Sequence, residues 1–205
     1  MLTLYGKAGS RALRCLWALD EVGAAYRHVP TDYADGGTKT AEFLALNPTG
    51  TIPTLTDGDV TVWEASAITF YIAAKFGDAD FWPRETGRQA RILQWTSWAQ
   101  WSIERPIDPL IVEAFFGPDH PMTSADLRAR GRDELRRACA ILDGELRKNP
   151  WLAGEKFSLA DLNVGFNVLF GRNYGLDVAG WPALEDWTAR LEARPHWQAQ
   201  LTRLG

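Results

Sequence analysis

Asn47-Pro48-Thr49-Gly50-Thr51-Ile52-Pro53-Thr54-Leu55 has the most chemically suggestive spacing in this 205-residue chain. Two prolines and a glycine rule out a helix across it. Ile52 and Thr54-Leu55-Thr56 nevertheless have strand character. Pro53 has no N–H for a sheet ladder, so it belongs at a strand start or on an edge. An X–Pro bond is held cis for only about 0.5–1 kcal/mol, and a tight turn into a strand is a natural place for one. The backbone N–H and C=O of Ile52 would then face outward and unpaired. That arrangement is a docking edge for another extended backbone. The alternative is a plain loop followed by a strand.

The usual reactive side chains are sparse. Cys15 and Cys139 lie far apart and form no Cys-x-x-Cys, which excludes the common dithiol motif and a cysteine zinc site. Cys15 follows an apolar helical pattern and reads as a buried small hydrophobe. His28, His120 and His196 are scattered without ligand spacing, so no metal is expected. Ser158 with Asp161 three residues on is a capping box in its Asp form, with Phe157 placed as a hydrophobic staple against Leu162. Asp161 therefore needs no catalytic role. Ser10 stands at the N-cap of another helical run.

The elements that must position these residues follow from periodicity. Leu2–Tyr5 reads as a strand. Leu13, Leu16 and Trp17 share one helical face, and Gly23 closes that helix. A strand over 25–29 completes a β-α-β unit, so the two strands are parallel. Residues 31–40 form a polar loop, and Ala41–Leu46 a short helix stopped by Asn47-Pro48. Asp57-Gly58 between β runs signals a hairpin turn with positive φ at both positions. Glu64-Ala65-Ser66 opens a helix to Phe76, ended by Gly77. The order β-α-β-α-β-β-α is that of a thioredoxin-type fold, with the cis-proline opening the hairpin.

Residues 78–86 read as a linker. From residue 87 no strand signal survives. Helices are expected over 88–103, 111–116 and 123–146, with Pro106 and Pro109 bending or breaking the first stretch. Two more follow from Ser158 to Gly171 and from Pro182 to Arg194, the last of the chain. The expected organisation is an α/β thioredoxin-like domain over 1–77 and an all-α domain over 87–205.

The bulk numbers bound the function. With 46% hydrophobic and 23% charged residues, the chain has ample material for a core. A net charge of −4 leaves no basic footprint for nucleic acid. No apolar run is long enough to span a membrane. The start, Met1-Leu2-Thr3-Leu4-Tyr5, is a strand pattern and not a signal peptide, so a cytoplasmic protein is expected.

Five motifs in order resemble those of the cytosolic glutathione transferases, bacterial and serine-type. They are Thr3-Leu4-Tyr5-Gly6 with Ser10 and Arg14; the Asn47–Leu55 stretch; Glu64-Ala65-Ser66-Ala67-Ile68; Ser158-Leu159-Ala160-Asp161; and Trp181-Pro182-Ala183-Leu184 with Trp187, Arg194 and Pro195. The resemblance covers the whole chain.

It implies a glutathione-dependent enzyme that activates the glutathione thiol for attack on small hydrophobic electrophiles. A free thiol has a pKa of about 8.5. Lowering it by about two units is worth roughly 2.7 kcal/mol. The start of the first helix supplies part of this. On the resemblance, Ser10 adds a hydroxyl donor to the thiolate, and Tyr5 is its rival. Thr51, Ile52 and Pro53 would pair with the cysteinyl backbone. Glu64 would take the γ-glutamyl ammonium, and the helix start at Ala65 and Ser66 the glutamyl carboxylate. The family has serine where this chain has Ala65, so one hydroxyl is missing; Ser66 lies about 100° around the helix. Lys39 would face the glycyl carboxylate. Arg11, Trp98, Trp101 and Phe115 are the candidates for an electrophile pocket between the domains. A homodimer is implied. Other readings are a glutathione-dependent isomerase or reductase, and a non-catalytic binding protein of the same fold.

Overall fold

The computed structural model describes residues 1–203, and the last two residues of the expected helical unit, 204 and 205, lie outside them. The chain divides into two units, residues 1–82 with 193 onward, and residues 83–192.

The first unit is built on a four-stranded sheet in the order β2-β1-β3-β4, from β1 (Leu2–Tyr5), β2 (Tyr26–Val29), β3 (Thr54–Asp57) and β4 (Val60–Trp63). β1 runs parallel to β2, with Leu4 opposite His28, and antiparallel to β3, with Tyr5 opposite Thr54. Helix α1 (Ala12–Glu21) returns the chain between β1 and β2, as a parallel crossover requires. Its apolar face is fully buried through Leu13, Leu16 and Trp17. Gly23, at φ 62°, closes it: the Ala24 N–H donates to Leu19 O, and the Gly23 N–H to Asp20 O. Helix α2 (Ala41–Leu46) precedes the proline stretch, and α3 (Ala65–Phe76) follows the hairpin. This is the thioredoxin-like arrangement expected from the element order.

The hairpin turn differs by one residue from its expected place. Asp57 pairs with Val60, so the turn residues are Gly58 and Asp59. Gly58 has φ 59°, whereas the positive-φ non-glycine residue is Glu64. A glycine at the first turn position followed by an ordinary residue is the II′ pattern.

The second unit is all helical. Helices α4 (Thr86–Ala99) and α5 (Arg105–Phe116) are joined without a break by a π-helical segment, Gln100–Glu104. Pro106 and Pro109 therefore do not interrupt the chain, contrary to expectation. Each proline lacks the N–H of an i→i−4 bond. The wider turn before them, closed by the Arg105 N–H on Gln100 O, lets the helix continue. Ile92, Trp95, Ala99 and Ile103 are all buried, as their spacing predicts.

Helices α6 (Ala125–Leu146), α7 (Leu159–Arg172) and α8 (Pro182–Glu192) complete this unit. The capping box at the start of α7 is formed. Asp161 accepts the Ser158 N–H at 3.0 Å, the Leu152 N–H at 2.9 Å and the Trp187 indole N–H at 3.0 Å. Its role is structural. Phe157 packs edge-to-face on Trp151 at 5.4 Å.

The end of the chain corrects the expected boundary of the helical domain. A further helix, α9 (Pro195–Leu201), follows Arg194 and belongs to the first unit. Pro195 starts this helix; it does not end the previous one, because a missing N–H is harmless at a first helical position. Trp197 packs on Trp17 at 4.9 Å. Arg194 donates to both oxygens of Glu21, at 2.8 and 2.6 Å, and Gln200 donates to Asp20 at 2.7 Å. These contacts cover the side of α1 that the sheet does not. The expected linker is shortened as well, since α4 begins at Thr86.

Candidate functional site

Three pieces of the first unit carry the site: the start of α1, the proline stretch, and the start of α3.

The proline stretch is shaped by Asn47, which is fully buried. Its Nδ2 donates to Thr51 O at 2.8 Å and to Thr54 Oγ1 at 3.0 Å. Its Oδ1 accepts the Thr49 N–H at 3.0 Å and the Thr49 hydroxyl at 2.7 Å. One amide thus closes the turn from both sides. The Ile52–Pro53 bond is cis. Ile52 and Pro53 are buried, and Thr51 is exposed. Gly50, at φ 60°, leaves the space where a Cβ would meet Lys39 Nζ at 2.5 Å. Lys39 donates from that ammonium to Gly50 O at 3.1 Å.

Gly6 brings the first two pieces together. A Cβ there would lie 2.6 Å from Ala12 Cβ, 3.6 Å from Ile52 Cβ and 3.7 Å from Pro53 Cα. The loop carrying Ser10 can therefore lie against the proline stretch only with glycine at this position. The His28 ring donates from Nε2 to Gly6 O at 2.7 Å, and the Gly6 N–H donates to Val29 O at 3.1 Å, which fixes the loop.

Ser10 caps the start of α1. Its Oγ accepts the Ala12 N–H at 3.1 Å and donates to Lys7 O at 2.7 Å. The regular helix begins at Ala12, with Arg11 already in helical conformation. Arg11 is exposed beside it. Tyr5 turns its ring edge-on to Phe43 of α2, at 6.2 Å. Cys15 is fully buried, and burial pushes its thiol up to about 12, with Arg14 pulling weakly the other way. At neutral pH it is an uncharged, inaccessible thiol.

At the start of α3, Glu64 adopts φ 73° and ψ 119° and makes no side-chain cap bond. Such a conformation costs a non-glycine residue about 1–3 kcal/mol. The first N–H groups of a helix have no partner within it. No acidic residue stands in the first turn of α3 to occupy them. Ala65 is buried and Ser66 half-buried.

One expectation is overturned here. The Ile52 backbone is not unpaired: its N–H donates to the Tyr33 hydroxyl at 3.1 Å, and that hydroxyl donates to Ile52 O at 3.5 Å. The docking edge exists, but a side chain from nineteen residues earlier sits on it. Neither Tyr33 nor the buried hub Asn47 stands out in the sequence. Asn47 carried a signal in its place between a helix end and a proline. Tyr33 carried none.

Of the other candidates, Trp98 packs edge-to-face on Trp95 at 5.3 Å. Trp101 is 66% exposed, with the Arg105 guanidinium 5.4 Å from its ring centroid. Phe115 is equally exposed and lies 6.2 Å from Tyr174. Among the described residues, no group of three His, Cys, Asp or Glu side chains could hold a metal ion. Among them too, no helix is long and apolar enough to cross a membrane.

Known proteins share this arrangement. The glutathione S-transferase N-terminal domain matches residues 1–74, and the glutathione S-transferase C-terminal domain matches residues 107–195. Glutathione S-transferase 3 of Zea mays is 31% identical, over 96% of this chain and 91% of its own length. The disulfide-bond oxidoreductase YfcG of Escherichia coli (strain K12) is 29% identical, over 95% and 92%. The theta-class glutathione S-transferase of the citrus canker pathogen Xanthomonas axonopodis pv. citri, solved with glutathione bound, superimposes with a TM-score of 0.85 at 28% identity, covering 97% of this chain and 96% of that one. A cis-proline edge, a capped helix start and an open helix N-terminus, carried on a thioredoxin-like sheet and followed by a helical unit, thus recur in proteins matched along nearly their full length, and the chain belongs to the glutathione transferase family.

Proposed function

We propose that this protein binds glutathione along the Ile52 edge and activates its thiol for attack on a small hydrophobic electrophile. The observation that carries the reading is the packing at Gly6. It sets the capped start of α1 against Ile52 and Pro53, so a cysteinyl unit docked on that edge has its sulfur near a helix N-terminus and a hydroxyl.

In this reading Thr51, Ile52 and Pro53 present the edge to the cysteinyl backbone. The unpaired N–H groups at the start of α3, at Ala65 and Ser66, receive the glutamyl carboxylate, as helix N-termini receive anions. Glu64, held in its strained conformation, pairs with the glutamyl ammonium. Lys39 has further N–H donors for the glycyl carboxylate. Ser10 leaves Lys7 O and donates to the thiolate. The thiolate is the nucleophile, and Ser10 stabilises it without bonding covalently. Trp101 and Phe115 offer exposed aromatic surface to an apolar substrate, with Trp98 and Arg11 as further candidates. A cytoplasmic homodimer with a detoxifying role completes the proposal.

A second reading has one observation in its favour, the likeness to a disulfide-bond oxidoreductase. There the same activated thiolate attacks a disulfide sulfur and expels a thiolate. A second glutathione thiolate then releases the product and leaves as glutathione disulfide.

Calorimetric titration with glutathione, followed by assays with a chromogenic aryl halide and with a small disulfide, tests the proposal. Binding with thioether formation supports the first reading, and binding with disulfide reduction alone supports the second. Binding without either turnover would make the chain a binding protein, and no binding would overturn the assignment.

A further inference from the structure

Tyr33 lies in the loop between β2 and α2 and is 51% exposed. Its hydroxyl meets both backbone groups of Ile52, accepting from the N–H at 3.1 Å and donating to the C=O at 3.5 Å. A phenol has one proton to give and lone pairs to receive, so it can make both contacts at once. An extended peptide backbone docked on this edge would use the same two groups. Ile52 has a single N–H, so the phenol and a ligand carbonyl compete for it.

The segment bearing Tyr33 is held by Asp32. Its Oδ1 accepts the Tyr33 N–H at 2.7 Å and the Ala34 N–H at 3.4 Å, and its Oδ2 accepts the Lys7 ammonium at 2.7 Å. Lys7 is also the residue whose carbonyl receives the Ser10 hydroxyl. The same short loop therefore anchors both the tyrosine segment and the hydroxyl proposed to serve the thiolate. The hydrogen bond from Lys7 is the largest influence on the Asp32 carboxyl and holds it below the usual carboxylate range, so this latch is charged at neutral pH.

We propose that Tyr33 is a gate on the glutathione edge: its hydroxyl occupies the backbone groups of Ile52, and a peptide-like ligand binds by displacing it. The inference rests on the proposed docking of the cysteinyl unit at Ile52. The fraction of molecules with the edge covered lowers the apparent affinity by that same factor. Contacts of this kind, weighed against water, favour the covered state by about three- to tenfold. Displacement also pulls on Asp32 and, through Lys7, on the carbonyl that holds the Ser10 proton.

Tyr33→Phe keeps the ring and removes the hydroxyl. Two measurements on the full chain test the gate: the Kd for glutathione by calorimetry, and hydrogen exchange of the Ile52 amide without glutathione. The variant is expected to bind glutathione about three- to tenfold more tightly. Its Ile52 amide is expected to exchange faster than in the wild type. Equal or weaker glutathione binding by the variant overturns the gate, and weaker binding would make Tyr33 a ligand contact. Unchanged exchange at Ile52 overturns the gate at its structural root, whatever the ligand does. If neither protein binds glutathione, the docking reading fails and the gate falls with it. If the wild type binds and only the variant's tightening is missing, the gate alone fails.

Discussion

The hydroxyl of Ser10 donates to the carbonyl oxygen of Lys7 at 2.7 Å. The same oxygen accepts the Ala12 N–H at 3.1 Å. The proposed thiolate donor is thus already engaged on both sides, as a helix cap and as a loop clasp. To serve a thiolate it must exchange one neutral acceptor, Lys7 O, for a charged one. That exchange is favourable, because hydrogen bonds to ionised acceptors are roughly twice as strong as neutral ones.

Ser10→Ala should therefore show two separable effects. Loss of the thiolate donor should lower kcat/KM about 10²-fold, the scale for removing one preorganised donor. Loss of the cap should reduce stability by about 1 kcal/mol. Steady-state rates and urea unfolding check them independently. A variant with undiminished rate would move the donor role to Tyr5 or to backbone N–H groups.

Ala65 offers the opposite change. A serine there adds a hydroxyl beside the open N–H groups of α3. Ala65→Ser should tighten glutathione binding by about 1 kcal/mol, roughly fivefold. Calorimetry decides it. Weaker binding would mean that the glutamyl carboxylate does not sit at this helix start, or that the buried site has no room for the oxygen.

Asp161 sets the stability of the helical unit. Burial pushes its carboxyl up to about 6, against the donors from Leu152, Trp187 and Ser158 that favour the carboxylate. Between about pH 4 and pH 6 the folded state therefore holds a proton that the unfolded chain has released. The contribution of this group is complete below pH 4 and is lost as the pH rises through 6. Asp161→Ala should cost about 2 kcal/mol at pH 7, where buried donors lose their acceptor. That cost should rise by about 3 kcal/mol toward pH 4. Urea unfolding of both proteins at the two pH values tests the sign. An equal cost at both would contradict it.

Cys15 should be silent in the native state. It is fully buried, and its thiol is pushed up to about 12 by burial. A thiol reagent at pH 8 should leave Cys15 unmodified in folded protein and modify it in urea, as mass spectrometry of the peptide would show. Rapid native-state labelling at Cys15 would contradict its burial.

Much of the fold was legible in the sequence because local chemistry and tertiary structure agree there. Gly23 at a helix end, the cis-proline before β3 and the Ser158–Asp161 box each act within a few residues. The π-helical Gln100–Glu104 was not legible, since one widened turn leaves no trace in hydrophobic spacing. Pro195 misled because proline both ends helices and starts them, and only the docking of Trp197 on Trp17 decides between the two. At the site, the edge at Ile52 and the cap at Ser10 follow from residue type. The cover by Tyr33 does not, because it depends on how a polar loop folds back over nineteen residues.

The central claim is that the start of α1 with Ser10 turns bound glutathione into a thiolate. The most direct measurement is the pH titration of thiolate ultraviolet absorbance for glutathione bound to the wild-type protein. The account predicts a midpoint about two units below the value of about 8.5 for a free thiol. A midpoint equal to that of free glutathione would contradict it.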